Sequence, residues 1–165
     1  MSVSTPNPEM FGRDAGGGVR MRTLLCVEDH AKNLKLIKLI VSGYPEMRLL
    51  TAVNGNSGIQ IARESQPEVI LMDINLPDIN GFKALEILRS DPATAQIPVI
   101  ALSANVLPLN IESGLEAGFF RYLTKPLKAN EFMDALKAAL ELRDKRAVRA
   151  NERGRRSSMP PAGIT

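Results

Sequence analysis

The stretch VILMDINLPDING, residues 69–81, decides the fold of this chain. Its first four residues are all apolar, a pattern typical of a β-strand that is buried on both faces of a parallel sheet. Asp73 ends the apolar run, and the proline, asparagine, aspartate and glycine residues after it favour a turn. Because open α/β sheets bind ligands at the carboxyl ends of their strands, we expect Asp73 to lie at a functional site. A carboxylate that only caps the following turn is the alternative interpretation.

The remainder of the chain alternates between apolar runs and segments with helical periodicity. Strands are predicted at Thr23–Val27, Arg48–Val53, Val69–Met72, Val99–Leu102 and Phe119–Leu123. Helices are predicted at Ala31–Val41, 56–65, Gly81–Arg89, 109–117 and from Asn130 past Leu142. Five strands that alternate with five helices predict an α/β domain whose parallel sheet is covered by helices on both faces.

Length and composition limit the class of protein. The 165 residues suffice for one domain with terminal tails. A single cysteine, Cys26, excludes an internal disulfide framework and fits a small core residue. No apolar segment is long enough to cross a bilayer, and the first residues lack the pattern of a secretory signal. We therefore expect cytoplasmic residence and no membrane partner.

Charge is distributed unevenly along the chain. Residues 143–156 carry seven Lys and Arg against two Asp and Glu, a charge of +5, whereas residues 23–142 carry eleven against fourteen, a charge of −3. The sequence predicts a disordered leader over 1–20, a globular domain over 21–142, and a basic helical extension with a disordered tail over 143–165. A solvated helix end is the favoured interpretation of the basic extension over nucleic-acid binding.

Polar side chains occur where the predicted strands end. Glu28 and Asp29 follow the first strand, Asp73 ends the third, Ser103 follows the fourth and Lys125 follows the fifth. If these strands are neighbours, all five side chains converge on one edge of the sheet. Core packing gives no reason for such a placement.

This set of side chains suits phosphoryl transfer. Clustered carboxylates raise one another's pKa unless a cation joins them, and all-oxygen ligation favours Mg²⁺. A histidine- or cysteine-rich zinc site is excluded because His30 and Cys26 are the only residues of their types. Asp73 could then act as the nucleophile that forms an aspartyl phosphate, with Lys125 and Ser103 stabilising the transferred group.

Four motifs resemble those of the receiver domains of two-component response regulators, particularly the receivers of hybrid histidine kinases. They are Val27–Asp29, Met72–Pro77, Ala101–Ala104 and Tyr122–Pro126, within a match that covers about residues 22–142. The resemblance implies a flavodoxin-like, three-layer (βα)5 fold with strand order 2-1-3-4-5. It also implies a cis peptide bond between Lys125 and Pro126.

The resemblance implies a role for each matching residue. Asp73 would be the phosphoacceptor, assisted by Lys125, and Ser103 and Tyr122 would form the conformational switch, although a strand tyrosine can also be a simple core residue. The implied Mg²⁺ ligands are Glu28, Asp29, Asp73 and the main-chain carbonyl of Asn75, and the residues implied to tune the phosphoryl lifetime are Asn75 and Asn105.

The sequence departs from the family pattern in a few places. Glu28 stands where Asp is commoner, so its contact with the metal is expected to run through water. Phe119 and Phe120 are expected to be partly exposed, and the loop at 107–109 is expected to shorten the fourth helix.

The resulting hypothesis is a stand-alone response regulator receiver, a signalling protein rather than an enzyme. Its expected partners are a histidine kinase or a histidine phosphotransfer protein, and then a downstream protein or a second copy bound through the face from strand four to helix five. Alternatives are a receiver fragment of a hybrid kinase and a receiver whose basic tail binds nucleic acid. A haloacid-dehalogenase-like phosphatase is disfavoured because Asn75 stands where that class needs a second acid.

Overall fold

A computed structural model describes residues 16–18, 20–104 and 107–158. The strands are β1 (Arg22–Val27), β2 (Met47–Ala52), β3 (Val69–Asp73), β4 (Val99–Ser103) and β5 (Arg121–Thr124). The helices are α1 (Ala31–Ser42), α2 (Gly55–Ser65), α3 (Gly81–Ser90), α4 (Pro108–Ala117) and α5 (Ala129–Ser157). The strands pair in parallel in the order β2-β1-β3-β4-β5, which confirms the predicted flavodoxin-like fold.

The central position of β3 explains its unbroken apolar sequence. All five of its residues are buried, and it lies between β1 and β4. Because alternate side chains point to opposite faces of a sheet, Leu71 joins the hydrophobic cluster under α1 and α5. Ile70 and Met72 join the cluster under α2 and α3. Asp73, the last residue of β3, belongs to neither cluster.

The predicted start of β5 was wrong by two residues. The chain leaves α4 at Gly118, whose φ of 113° lies in the left-handed region, and the strand begins only at Arg121. This turn directs Phe119 into the core, where it is 3% exposed and meets the ring of Phe82 edge-to-face with centroids 5.4 Å apart. The expected exposure of Phe119 was therefore wrong, whereas Phe120 is half-buried beneath the Arg121 guanidinium.

Helix α5 is a single 29-residue helix that crosses the predicted boundary at residue 142 without a break. The predicted leader and the end of the predicted tail lie largely outside the described residues. Among the helices that the structure describes, none combines the length and apolarity that crossing a membrane requires.

Asp78, in the loop after β3, caps a helix that is distant in sequence. Its two carboxylate oxygens accept hydrogen bonds from the backbone N–H groups of Gly55 and Asn56, each at 2.8 Å, at the start of α2. Burial raises the pKa of Asp78, but the backbone N–H groups of Asn56, Gly55, Ile79 and Asp78 itself together outweigh this effect and hold the pKa below its usual value. The ionised carboxylate therefore stabilises the fold.

Replacing Asp78 by Asn is expected to lower the free energy of unfolding by about 1 kcal/mol at neutral pH, because the charged cap is lost. Since the folded-state pKa of Asp78 is lowered, its contribution is present above the unfolded value of about 3.9 and is lost as the pH falls through the folded value. Urea unfolding of both proteins at a series of pH values measures the difference. A difference that stays constant down to the lowest pH would contradict the assignment to charge.

Candidate functional site

Asp73 and Lys125 form an ion pair at the carboxyl edge of the sheet. The Asp73 side chain is buried, and its Oδ2 accepts a hydrogen bond from Lys125 Nζ at 3.0 Å. Its Oδ1 accepts one from the Asn75 backbone N–H, also at 3.0 Å. The backbone N–H of Lys125 in turn donates to the Ser103 carbonyl at 2.8 Å, which fixes the end of β5 beside β4. The Lys125–Pro126 peptide bond that follows is cis, as the resemblance implies.

Glu28 and Asp29 follow β1 and complete an acidic cluster around this pair. Glu28 is fully buried, and its Oε1 accepts hydrogen bonds from the His30 backbone N–H at 3.1 Å and from Asn33 Nδ2 at 3.4 Å. Its Oε2 lies 3.5 Å from Lys125 Nζ, and no hydrogen-bond donor reaches it within the described residues. One ammonium group therefore serves two buried carboxylates.

The structure adds His30 to the cluster, whereas the sequence analysis cited this residue only to exclude a histidine-rich zinc site. Its Nδ1 lies 3.1 Å from Glu28 Oε1, 3.2 Å from Asp29 Oδ1 and 4.0 Å from Asp73 Oδ2. His30 is the N-cap residue of α1, and its backbone N–H donates to the same Glu28 oxygen that its ring contacts. Its position directly after Glu28 and Asp29 was the available signal for this contact.

The electrostatics of Asp73 reflect its burial. Loss of contact with water raises the pKa of Asp73, and the neighbouring Glu28 carboxylate raises it further. The hydrogen bonds from Lys125 and from the Asn75 N–H oppose this effect without cancelling it. A carboxylate held in this way is destabilised relative to one in water, and a second cation would stabilise it.

The residues present fit a divalent cation that prefers oxygen ligands. Side-chain donor atoms of Glu28, Asp29, His30 and Asp73 all lie within 4.8 Å of one another. Glu28 Oε2, which accepts no hydrogen bond from the described residues, is an oxygen that a cation could use. Three carboxylates match the preference of Mg²⁺ for oxygen ligands.

The remaining residues that the sequence predicted for the site are not members of the acidic cluster. Ser103 ends β4 and is 2% exposed, one register position beyond Leu102, the partner of Asp73. The Asn75 side chain is exposed next to the cluster, and Asn105 lies outside the described residues. Tyr122 is half-buried in β5 and packs against the hydrophobic cluster under α2 and α3.

The ring of Tyr122 lies against the backbone of α4 at Gly114. A Cβ placed on Gly114 would overlap the Cδ2 atom of this ring. Replacing Gly114 by Ala should therefore displace the ring and lower the free energy of unfolding by about 1–3 kcal/mol through overpacking. Because the sequence has no Trp and only one other tyrosine, fluorescence of the Gly114→Ala protein in a Tyr44→Phe background reports on Tyr122 alone.

The matched control for this prediction is Gly154→Ala, in the exposed part of α5. A Cβ at Gly154 meets no heavy atom within 4 Å. This change should leave the Tyr122 signal unaltered and stabilise the helix by about 1 kcal/mol or less, since Ala is the better helix former. Equal tyrosine signals in the wild-type and Gly114→Ala proteins would contradict the proposed contact.

A parallel sheet of order β2-β1-β3-β4-β5, with an acidic cluster and a lysine at its carboxyl edge, defines the class of signalling receiver domains. Comparison with known proteins agrees: the chain belongs to the response regulator receiver domain family, whose model matches residues 24–137. It is 33% identical over 121 residues to the polar-differentiation response regulator DivK of Brucella anthropi, a match that covers 72% of this chain and 96% of that protein.

Solved structures give the same result. The receiver domain of a sensor histidine kinase from Pseudomonas aeruginosa, with a magnesium ion coordinated in its active-site cleft, is 30% identical with a TM-score of 0.67. That match covers 73% of this chain and 98% of the other. A putative response regulator from Chloroflexus aurantiacus is 27% identical with a TM-score of 0.69, covering 74% and 99% of the two chains.

Proposed function

We propose that this chain is a response regulator in which Asp73 accepts a phosphoryl group from the phosphohistidine of a histidine kinase or phosphotransfer protein. The observation that carries the proposal is the pairing of the buried Asp73 carboxylate with the Lys125 ammonium, beside the buried Glu28. A buried carboxylate that is both oriented and next to a cation has the geometry of a nucleophile toward phosphorus.

In the proposed transfer, a carboxylate oxygen of Asp73 forms a bond to phosphorus. The N–P bond of the donor breaks at the same time, and its electron pair returns to the imidazole nitrogen. The Asn75 N–H keeps the carboxylate oriented, and Lys125 then donates to a phosphoryl oxygen together with the Ser103 hydroxyl. Burial of Asp73 limits the access of water to the reacting atoms.

Mg²⁺ is the proposed cofactor, held by Glu28, Asp29, Asp73 and the main-chain carbonyl of Asn75. When bound, it supplies positive charge that neutralises the transferring phosphoryl group. The Asn75 and Asn105 side chains are proposed to tune the lifetime of the phosphorylated state. The one-methylene difference between Glu and Asp leads us to propose that Glu28 contacts the ion through water.

The phosphoryl group adds negative charge at one edge of the sheet, and this charge is the proposed signal. Ser103 would move to hydrogen-bond it and Tyr122 would fill the vacated space, which changes the face that runs from β4 to α5. We propose that this face binds a downstream protein or a second copy of the chain in the cytoplasm, or that the protein buffers phosphoryl groups. In this role the protein transmits a signal and is not a turnover enzyme.

The proposal is tested by intact mass after incubation with a small phosphodonor such as acetyl phosphate. The wild-type protein should gain one phosphoryl unit with Mg²⁺ and none with EDTA, and Asp73→Asn should gain none under either condition. The matched control is Asp78→Asn, which changes an exposed aspartate in the loop after β3 and should gain the phosphoryl unit as the wild type does. Uptake by Asp73→Asn would remove Asp73 from its role, and uptake in EDTA would remove the metal.

A further inference from the structure

A cleft of about 610 Å³ lies at the edge of the sheet opposite to Asp73. Its walls come from segments just before or at the amino ends of the strands, including Arg20, Glu68 and Gln96, and from the last part of α5. Because parallel strands share their amino edge, this cleft is separated from the acidic cluster by the length of the sheet. The proposed phosphorylation chemistry makes no use of it.

Ion pairs and a hydrogen bond hold the last part of α5 in place as one wall of this cleft. Arg22, 1% exposed, donates two hydrogen bonds to Asp144 at 3.0 and 3.1 Å and forms an ion pair with Glu68. Two residues after Asp144, Arg146 Nη1 donates to the Gln96 carbonyl at 2.8 Å. The two walls of the cleft are therefore joined by an ion pair and a hydrogen bond, and the cleft is preformed.

Positive charge exceeds negative charge around the cleft. Five arginines line it: Arg20, Arg143, Arg146, Arg149 and Arg153. The acidic residues that line it, Glu68 and Asp144, are already paired with Arg22. Arg149 and Arg153 form no ion pair with any residue that the structure describes.

The arginines are close enough to repel one another. Burial lowers the pKa of Arg143, and although Glu68 opposes this, the nearby Arg146, Arg22 and Arg20 lower the pKa further. A cluster of this kind is stabilised by an anion that brings several negative charges into the cleft. The planar guanidinium group donates two parallel hydrogen bonds and is suited to phosphate oxygens.

We propose that this arginine cleft binds a small anion with two or more phosphate groups, of the polyphosphate or nucleotide class. The concave shape and a volume within the range of small-molecule sites favour such a ligand over a nucleic-acid duplex. Arg149 and Arg153 lie one helical turn apart on α5 and line the cleft. Because they have no acidic partner among the described residues, their guanidinium groups are available to bind the phosphate groups.

The test is calorimetric titration of the full chain with tripolyphosphate at constant low salt, in EDTA so that no metal links the probe to the Asp73 site. The cleft variant is Arg149→Gln with Arg153→Gln. The matched control is Arg155→Gln with Arg156→Gln, which removes the same charge from exposed positions of the same helix that do not line the cleft. Affinity should fall about tenfold or more in the cleft variant, because charge-assisted hydrogen bonds are lost, and change little in the control.

Equal losses in the two variants would show diffuse attraction to a basic helix and overturn the proposal, as would the absence of measurable binding by the wild-type chain. A short DNA duplex that binds as tightly as tripolyphosphate, with equal losses in both variants, would also overturn it.

Tighter binding of ATP than of tripolyphosphate would support the proposal and assign the cleft to nucleotides. Equal affinities for the two would support it and assign the cleft to polyphosphate. Phosphorylation of Asp73 by acetyl phosphate should be unchanged in both variants, which separates this proposal from the proposed function.

Discussion

Replacing Lys125 by Met is expected to slow the phosphorylation of Asp73 by about a hundredfold or more. Lys125 Nζ is the cation in contact with Asp73 Oδ2, at 3.0 Å, and it lies 3.5 Å from Glu28 Oε2. Removing one preoriented donor from a developing negative charge reduces rates by about 10²–10³. Methionine retains much of the side-chain volume of lysine, so the change removes charge with little loss of packing.

The rate is measured from the time course of the phosphoryl adduct at saturating Mg²⁺ and a fixed concentration of acetyl phosphate. Lys128→Met is the matched control, because Lys128 lies three residues further along the chain and its side chain is 67% exposed. We expect the control to keep the wild-type rate. A Lys125→Met protein that is phosphorylated at the wild-type rate would show that the ion pair is structural and has no part in transfer.

Replacing Arg22 by Met is expected to lower the free energy of unfolding by about 3 kcal/mol. Arg22 is buried and is shared between Glu68 and Asp144, and removing one partner of a buried ion pair costs about 3–5 kcal/mol. The lower end of that range applies because the Asp144 side chain is 44% exposed and can be hydrated. The same change should release the end of α5, since Arg22 joins it to the sheet.

Urea unfolding measures the stability, and hydrogen exchange of residues 144–157 measures the release of the helix. Arg48→Met is the matched control: Arg48 lies opposite Thr23 on the neighbouring strand and is exposed. Its replacement should change the free energy of unfolding by less than about 0.5 kcal/mol, as is usual for surface positions. If Arg22→Met is as stable as Arg48→Met, the Arg22 ion pairs contribute little to stability.

Local sequence patterns predicted most of the fold because each element carries its own signal. The buried run of β3 and the helical spacing of α1 and α3 identify those elements without any knowledge of their neighbours. The bounds of β5 were predicted less well. Phe119 and Phe120 are apolar like strand residues, but one is directed into the core by the turn at Gly118 and the other lies under Arg121.

The sequence by itself determined which residue types end each strand, and hence that Glu28, Asp29, Asp73 and Lys125 meet at one edge once the strand order is given. Only the tertiary structure decided the contacts within that edge, including the His30 ring among the carboxylates and the single ammonium shared by Asp73 and Glu28. The same holds for the pair of Arg22 and Asp144, which are 122 residues apart. The physical reason is that hydrophobic periodicity is a property of a short segment and can be recognised without knowing which other segments it packs against. Ion pairs between distant residues depend on the packing of whole elements, which no short stretch of sequence records.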